Sequence, residues 1–378
     1  MKKTYLLTPG PTPVPPDVLL EMAEPMIHHR TKEYQAYFQE ATRLLQLVFQ
    51  TQREVLTLTS SGTGAMEAAV ANLLAAGQQA IVVRGGKFGE RWGELCEAYG
   101  VRVVPIDVSW GRAVDPAAVQ QALAKHPDTR AVFATLCETS TGVVSDVRAI
   151  AGVVAKTSAV LVVDAISGLG ADELQTDAWG VDVVVAGSQK GLMLPPGLSF
   201  ITLSDKAWQL VAAHKPIAYY FNLLAYRKAM QTSDTPFTPA ISLVRGLGKA
   251  LRWIEREGLP AVLARHRRLA EGVRAGTLGM RLQLFAAQPS NALTAIAMPA
   301  GVDGERLVRW LRDRFGVWLA EGQAELKGKI VRVAHLGYMT EADMLVALSS
   351  LELGLQALGH SVTLGTGVRA AEEVFGRP

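Results

Sequence analysis

From Val55 to Ala186, short apolar runs alternate with stretches whose apolar positions recur every three or four residues. The runs Val55 to Thr59, Ala80 to Val83, Arg102 to Ile106, Ala131 to Ala134, Val160 to Asp164 and Val181 to Ala186 have strand length and are nearly continuous in apolar character. Helical patterns lie between them, from Thr63 to Ala75, Gly89 to Ala98, Asp115 to Ala124 and Asp146 to Lys156. Strands that are apolar on both faces, joined by helices of this length, predict an α/β domain with a mostly parallel sheet sandwiched by helices.

The flanks read differently. Pro9, Pro11, Pro13, Pro15 and Pro16 each lack a backbone donor, which excludes regular helix or central strand and predicts an extended arm over residues 1–17. A helical pattern follows from Val18 to Phe49. After Ile241 the chain reads as helices from Ser242 to Glu257 and Pro260 to Gly276, then strands Leu282 to Phe285 and Leu293 to Met298. Helix Gly304 to Phe315, strand Ile330 to Ala334 and a final helix from Glu341 to Leu358 complete a smaller α+β unit. The expected division is arm 1–17, large domain 18–255 and small domain 256–378.

Composition narrows the class. The chain has 378 residues, 49% of them hydrophobic, enough for a large core and two domains. Its 38 basic and 35 acidic residues give +3 with no Lys/Arg run, so nucleic acid is not expected as a partner. Cys96 and Cys137 are too few and too separated for a disulfide framework or a Cys-rich metal site, and no His-Glu-x-x-His spacing occurs, so no metal is expected. The apolar stretch after Met1-Lys2-Lys3 stops at Pro9 and no later run reaches membrane-spanning length; a cytoplasmic protein is expected.

Candidate chemistry sits where strands end, the place at which open α/β sheets bind ligands. Asp164 closes an apolar strand, where a carboxylate is costly unless a cation meets it. Twenty-six positions later, Lys190 stands in Gly187-Ser188-Gln189-Lys190-Gly191, just beyond the last apolar run. A pyridoxal phosphate (PLP) site needs this pair: a lysine to condense with the aldehyde and a carboxylate to hold the pyridine nitrogen protonated. Apolar surroundings would depress the lysine's ammonium pKa and free it for base work. Ser60-Ser61-Gly62-Thr63-Gly64 follows a strand and opens a helix, a phosphate cradle that an ordinary capped turn would also resemble. It lacks the Gly-Lys-Ser/Thr of a nucleotide P-loop, and Glu67 occupies the third glycine position of a dinucleotide fingerprint. Arg332, alone in an apolar strand, offers a fork for a carboxylate, unless it faces water from an edge. His29, Arg30 and His335 are candidates to meet a substrate side chain, although solvated loops and caps hold such residues too.

These residues resemble the class V aminotransferases, of PLP fold type I, near the alanine/serine–glyoxylate (serine–pyruvate) aminotransferases. The matching pieces are Thr8-Pro9-Gly10-Pro11, Ser61-Gly62-Thr63-Gly64-Ala65-Met66-Glu67, Glu138-Thr139-Ser140-Thr141-Gly142, Val163-Asp164-Ala165-Ile166-Ser167-Gly168, Gly187-Ser188-Gln189-Lys190-Gly191 and Arg332-Val333-Ala334-His335. The resemblance implies that Lys190 carries the cofactor and shuttles the proton, Asp164 pairs with the pyridine nitrogen, and Ile166 packs on one ring face. It places Phe88 on the other face, Ser61, Gly62, Thr63 and Gln189 at the phosphate, and Thr139 at the ring hydroxyl. Arg332, helped by the backbone around Gly10, would bind the substrate carboxylate, while Arg30 stays a candidate, outside the resemblance, to meet the substrate's side chain. Thr235 and Thr238 would complete the site of a second subunit, so a homodimer is implied. Thr63 stands where many relatives have His, and Thr235 where some have Tyr.

The implied reaction moves an amino group from alanine or serine to glyoxylate or pyruvate, with aspartate or phosphoserine as the alternative donor. Three rivals remain. A desulfurase needs a late cysteine, and none follows Cys137; a non-catalytic subunit of a redox complex would bind no PLP; an NAD-dependent dehydrogenase is disfavoured by Glu67.

Overall fold

In the computed structural model, residues 3–213 and 217–377 are described; Met1 and Lys2 of the expected arm, His214 to Pro216, and Pro378 lie outside the described residues. The chain opens with β1 (Tyr5–Leu6), α1 (Pro16–Ala23) and α2 (Lys32–Phe49). The expected single helix over 18–49 is two, because Pro25 forces the preceding Glu24 out of the helical region, to ψ 151. α2 restarts at Thr31, whose side chain accepts the Tyr34 N–H.

Strands and helices then alternate: β2 (Val55–Leu58), α3 (Gly62–Leu73), β3 (Gln79–Arg84), α4 (Lys87–Ala98), β4 (Arg102–Asp107), α5 (Pro116–Lys125) and β5 (Thr129–Thr135). A small hairpin, β6 (Cys137–Glu138) with β7 (Val143–Val144), leads to α6 (Val147–Val154), β8 (Val160–Asp164), β9 (Val183–Gly187) and β10 (Ser199–Leu203). Seven strands form one sheet in the order β2-β10-β9-β8-β5-β3-β4, in which only β10 runs antiparallel to its neighbours. The parallel α/β expectation holds, with β10 the strand the sequence reading missed. Side-chain alternation splits the sheet's apolar residues between two faces. Leu161 and Val163 pack with α2 and α6 on one face, and Val160 and Val162 with α3 and α4 on the other.

Helices α7 (Asp205–Ala213), α8 (Leu223–Met230), α9 (Ile241–Glu257) and α10 (Leu259–Gly279) lead out of this layer. The remainder comprises β11 (Gln283–Leu284), β12 (Leu293–Ala297), α11 (Gly304–Phe315), β13 (Val317–Trp318), β14 (Ala320–Glu321), β15 (Ile330–Ala334), α12 (Glu341–Ala357) and α13 (Thr366–Phe375). A four-stranded sheet, β11-β12-β15-β14, backs onto a separate apolar core. Helix α12 is therefore not the last, since α13 follows and packs along α10.

The arm does more than run extended. β1 pairs in parallel with β13, Tyr5 opposite Val317, and Leu7 sinks into the core of the C-terminal part. From there residues 8–12 cross to the large sheet, where Thr12 Oγ1 donates to the Lys190 carbonyl at 3.1 Å. No helix among the described residues is long and apolar enough to cross a membrane.

Candidate active site

Parallel strands β8 and β9 are neighbours, with Asp164 in register with Val185, so their exits bring Asp164 and Lys190 to one edge of the sheet. There they line a cavity of about 250 Å³. Lys190 is buried, and its Nζ donates to the Pro9 carbonyl at 2.5 Å. Burial lowers its ammonium to about 8, against the raising influence of Cys137 and Asp164. Asp164 is also buried; its Oδ1 accepts the Ile166 N–H at 2.8 Å. Burial raises its carboxyl to about 7, more than that hydrogen bond lowers it. A carboxylate held at such cost wants a cationic partner in the cavity.

The start of α3 lines the cavity beside Lys190 and Asp164. Ser61 is its N-cap but makes no side-chain cap bond, so the first turn keeps open donors and the positive end of the helix. Gly62 has a steric reason: a Cβ there would lie 2.5 Å from Ile166 Cδ1. Gln189 also lines the cavity, and its Oε1 is buried with no hydrogen-bond partner among the described residues. Phe88, in the first turn of α4, Thr139, whose hydroxyl is 2.5 Å from Ser167 Oγ, and Gly10 also line the cavity. A Cβ on Gly10, at φ +141, would collide with the Lys190 side chain.

Two residues that sequence reasoning missed belong here. Glu138 is buried, and its carboxylate accepts N–H groups from Phe88 and Gly89 at 3.1 and 2.9 Å and the Ser140 hydroxyl at 2.5 Å. It thereby caps α4 in place of Gly86 and fixes Phe88 at the cavity. Arg91, one turn after Phe88, lines the cavity as well; the three-residue spacing on a helix was the available signal.

Other expected residues lie apart. Arg332 is buried, but its guanidinium donates to the Thr139 carbonyl at 2.8 Å and twice to the Glu321 carbonyl, behind Thr139 and on the wall of a neighbouring cavity beside α11. Arg30 is exposed in the loop before α2 and does not line the cavity. Thr235 bonds the Phe237 carbonyl, and Thr238 is exposed; neither reaches the cavity of its own chain. His335 is fully buried, with Nδ1 on the Asn291 carbonyl and Nε2 on the Thr294 hydroxyl, and burial lowers it to about 3. It is a neutral core residue, the structural one of the two readings open to it.

The residues present fit PLP. Open donors at α3 suit its phosphate, Asp164 its ring nitrogen, the apolar Phe88 and Ile166 in the lining its ring, and Lys190 its aldehyde.

The family described as Aminotransferase class-V matches residues 4–344. The chain is 43% identical to a Synechococcus sp. (strain PCC 6716) protein named soluble hydrogenase, small subunit, over 99% of this chain and 98% of that one. It is 36% identical to the serine–glyoxylate aminotransferase of Hyphomicrobium methylovorum, covering 99% and 95%. With the L-aspartate–glyoxylate aminotransferase of Paracoccus denitrificans it shares 34% identity, covering 98% and 96%. Among solved structures, ureidoglycine–glyoxylate aminotransferase from Bacillus subtilis superposes with a TM-score of 0.94 at 27% identity, covering 100% and 99%.

Proposed function

The chain belongs to the class V aminotransferases, PLP-dependent transaminases of fold type I, and on that premise we propose that it moves the amino group of alanine or serine to glyoxylate or pyruvate. The observation that carries the reading is the pairing of a buried Lys190, lowered to about 8, with a buried Asp164 across one cavity. When bound, PLP supplies an electron sink for the pair of electrons left as the α-proton departs.

The chain's own residues do the rest. Lys190 is partly neutral near pH 8, so its Nζ holds or releases a proton at little cost, which a general base at the α-carbon needs. Asp164 would hold a ring nitrogen in its protonated form. Phe88, fixed by Glu138, and Ile166 would hold the ring, and the arm at Pro9 and Gly10 would keep water from Nζ. Arg332, withdrawn behind Thr139, serves the substrate carboxylate by exchanging its Glu321 and Thr139 carbonyls for it.

The working unit is a cytoplasmic homodimer. Exposed Ile217 and Tyr219, beside the segment holding Thr235 and Thr238, form an apolar surface suited to a second copy, whose cavity those threonines complete. Both cysteines are free and buried, as suits a reducing compartment. The name carried by the Synechococcus relative suggests a redox subunit instead, but the intact lysine, aspartate and cavity favour transamination.

The test is a half-reaction screen. Purified protein with PLP is mixed singly with alanine, serine, aspartate and phosphoserine, and the cofactor absorbance is followed. Alanine or serine should convert it fastest, and glyoxylate or pyruvate should restore it. Conversion by aspartate alone replaces the donor assignment; no conversion by any amino acid removes the reading.

A further inference from the structure

The site contains a cation that the mechanism above does not use. Arg91 is half-buried on α4, with its guanidinium carbon 4.9 Å from the centre of the Phe88 ring. Its Nη1 donates to Thr63 Oγ1 at 3.2 Å. No carboxylate forms an ion pair with it among the described residues, unlike neighbouring Lys87, which pairs with Glu90 at 2.6 Å. A guanidinium partly withdrawn from water, lining a cavity and lacking an acid, is set to receive an anion.

Two features say which anion. Thr63 lies in the first turn of α3, where backbone donors and the helix end already favour a phosphate, and Ser61 leaves that turn uncapped. Because Thr63 Oγ1 accepts from Arg91, its own hydroxyl hydrogen points elsewhere, and it has no acceptor among the described residues. The stacked Phe88 ring fixes the guanidinium in place, so its charge is preorganised rather than carried on a mobile stem.

We infer that Arg91 is the cation that balances the cofactor phosphate, acting directly or through the Thr63 hydroxyl. This rests on the PLP assignment, and it names a binding residue beyond the donors at α3.

The experiment compares PLP with pyridoxal, which has the same aldehyde and ring but no phosphate, by equilibrium binding to the apoprotein. Arg91→Gln, and Arg91→Met as a second neutral variant that keeps an aliphatic stem over Phe88, should weaken PLP about tenfold or more, as expected for loss of a charge-assisted hydrogen bond. Pyridoxal affinity should stay within about twofold, and Arg91→Lys should restore most of the PLP affinity because it keeps the charge. An equal loss for both aldehydes would show that Arg91 only props Phe88, and unchanged PLP affinity would show that it serves something else; either overturns the inference. Wild-type protein that binds neither aldehyde would instead sink the cofactor assignment itself.

Discussion

Lys190 and Asp164 were legible as residues because each is a lone charge at the end of an apolar strand, where burial makes a charge expensive without a partner. Arg91 carried only its three-residue spacing from Phe88 as a signal, and Glu138, at the end of the two-residue strand β6, has no local pattern that shows it caps α4. Arg332 was legible as a buried cation, but its carbonyl partners come from residues 139 and 321, which no local pattern connects. The lowered ammonium gives a signed prediction. The neutral amine of Lys190 is the nucleophile, and its fraction grows as pH rises through about 8, so the rate of covalent coupling of PLP to the apoprotein should rise from pH 7 to 9. Stopped-flow absorbance tests this, and a midpoint near the ordinary lysine value of about 10.4 would refute the buried-amine argument. Lys190→Ala should reduce transamination at least ~10³-fold, since both covalent attachment and the general base are lost.

At the scale of elements, long periodic segments were read well: α11 and β15 fall where the apolar pattern puts them. The failures have physical causes. β1 is two residues long and has no period to detect, Pro25 breaks a helix whose pattern continues past it, and β10 follows a proline-rich turn that masks its start. The arm's role was the largest omission, because it depends on contacts with residues 190 and 317. Gly10→Ala tests that role. The added methyl collides with the Lys190 side chain, while Leu7 and the β1–β13 pairing remain. Turnover should fall at least about tenfold, in line with displacement of a reacting group, with the melting temperature changed by no more than a few degrees. Full activity in that variant would mean that the arm does not close over Nζ.

Across the whole molecule, one side chain ties the two sheets together. His266 on α10 is fully buried; its Nδ1 donates to the Gly170 carbonyl at 2.8 Å, and its Nε2 accepts the Gly337 N–H at 2.9 Å. Burial lowers it to about 4, below the ordinary histidine value of about 6.5. A depressed value means that the folded state binds fewer protons than the unfolded one between those limits. Stability is therefore full above pH 6.5 and declines as pH falls toward 4. His266→Ala should cost about 1–3 kcal/mol at pH 7.5 in urea unfolding, from the orphaned glycine groups, and should flatten part of the acid decline. An unchanged pH profile would place the acid sensitivity elsewhere. Above these details stands the claim that this cavity is a PLP site built on one lysine. Borohydride reduction of the PLP-loaded protein, followed by peptide mass mapping, tests it most directly: the cofactor mass should appear on Lys190 alone, and a Lys190 peptide recovered unmodified would contradict the account.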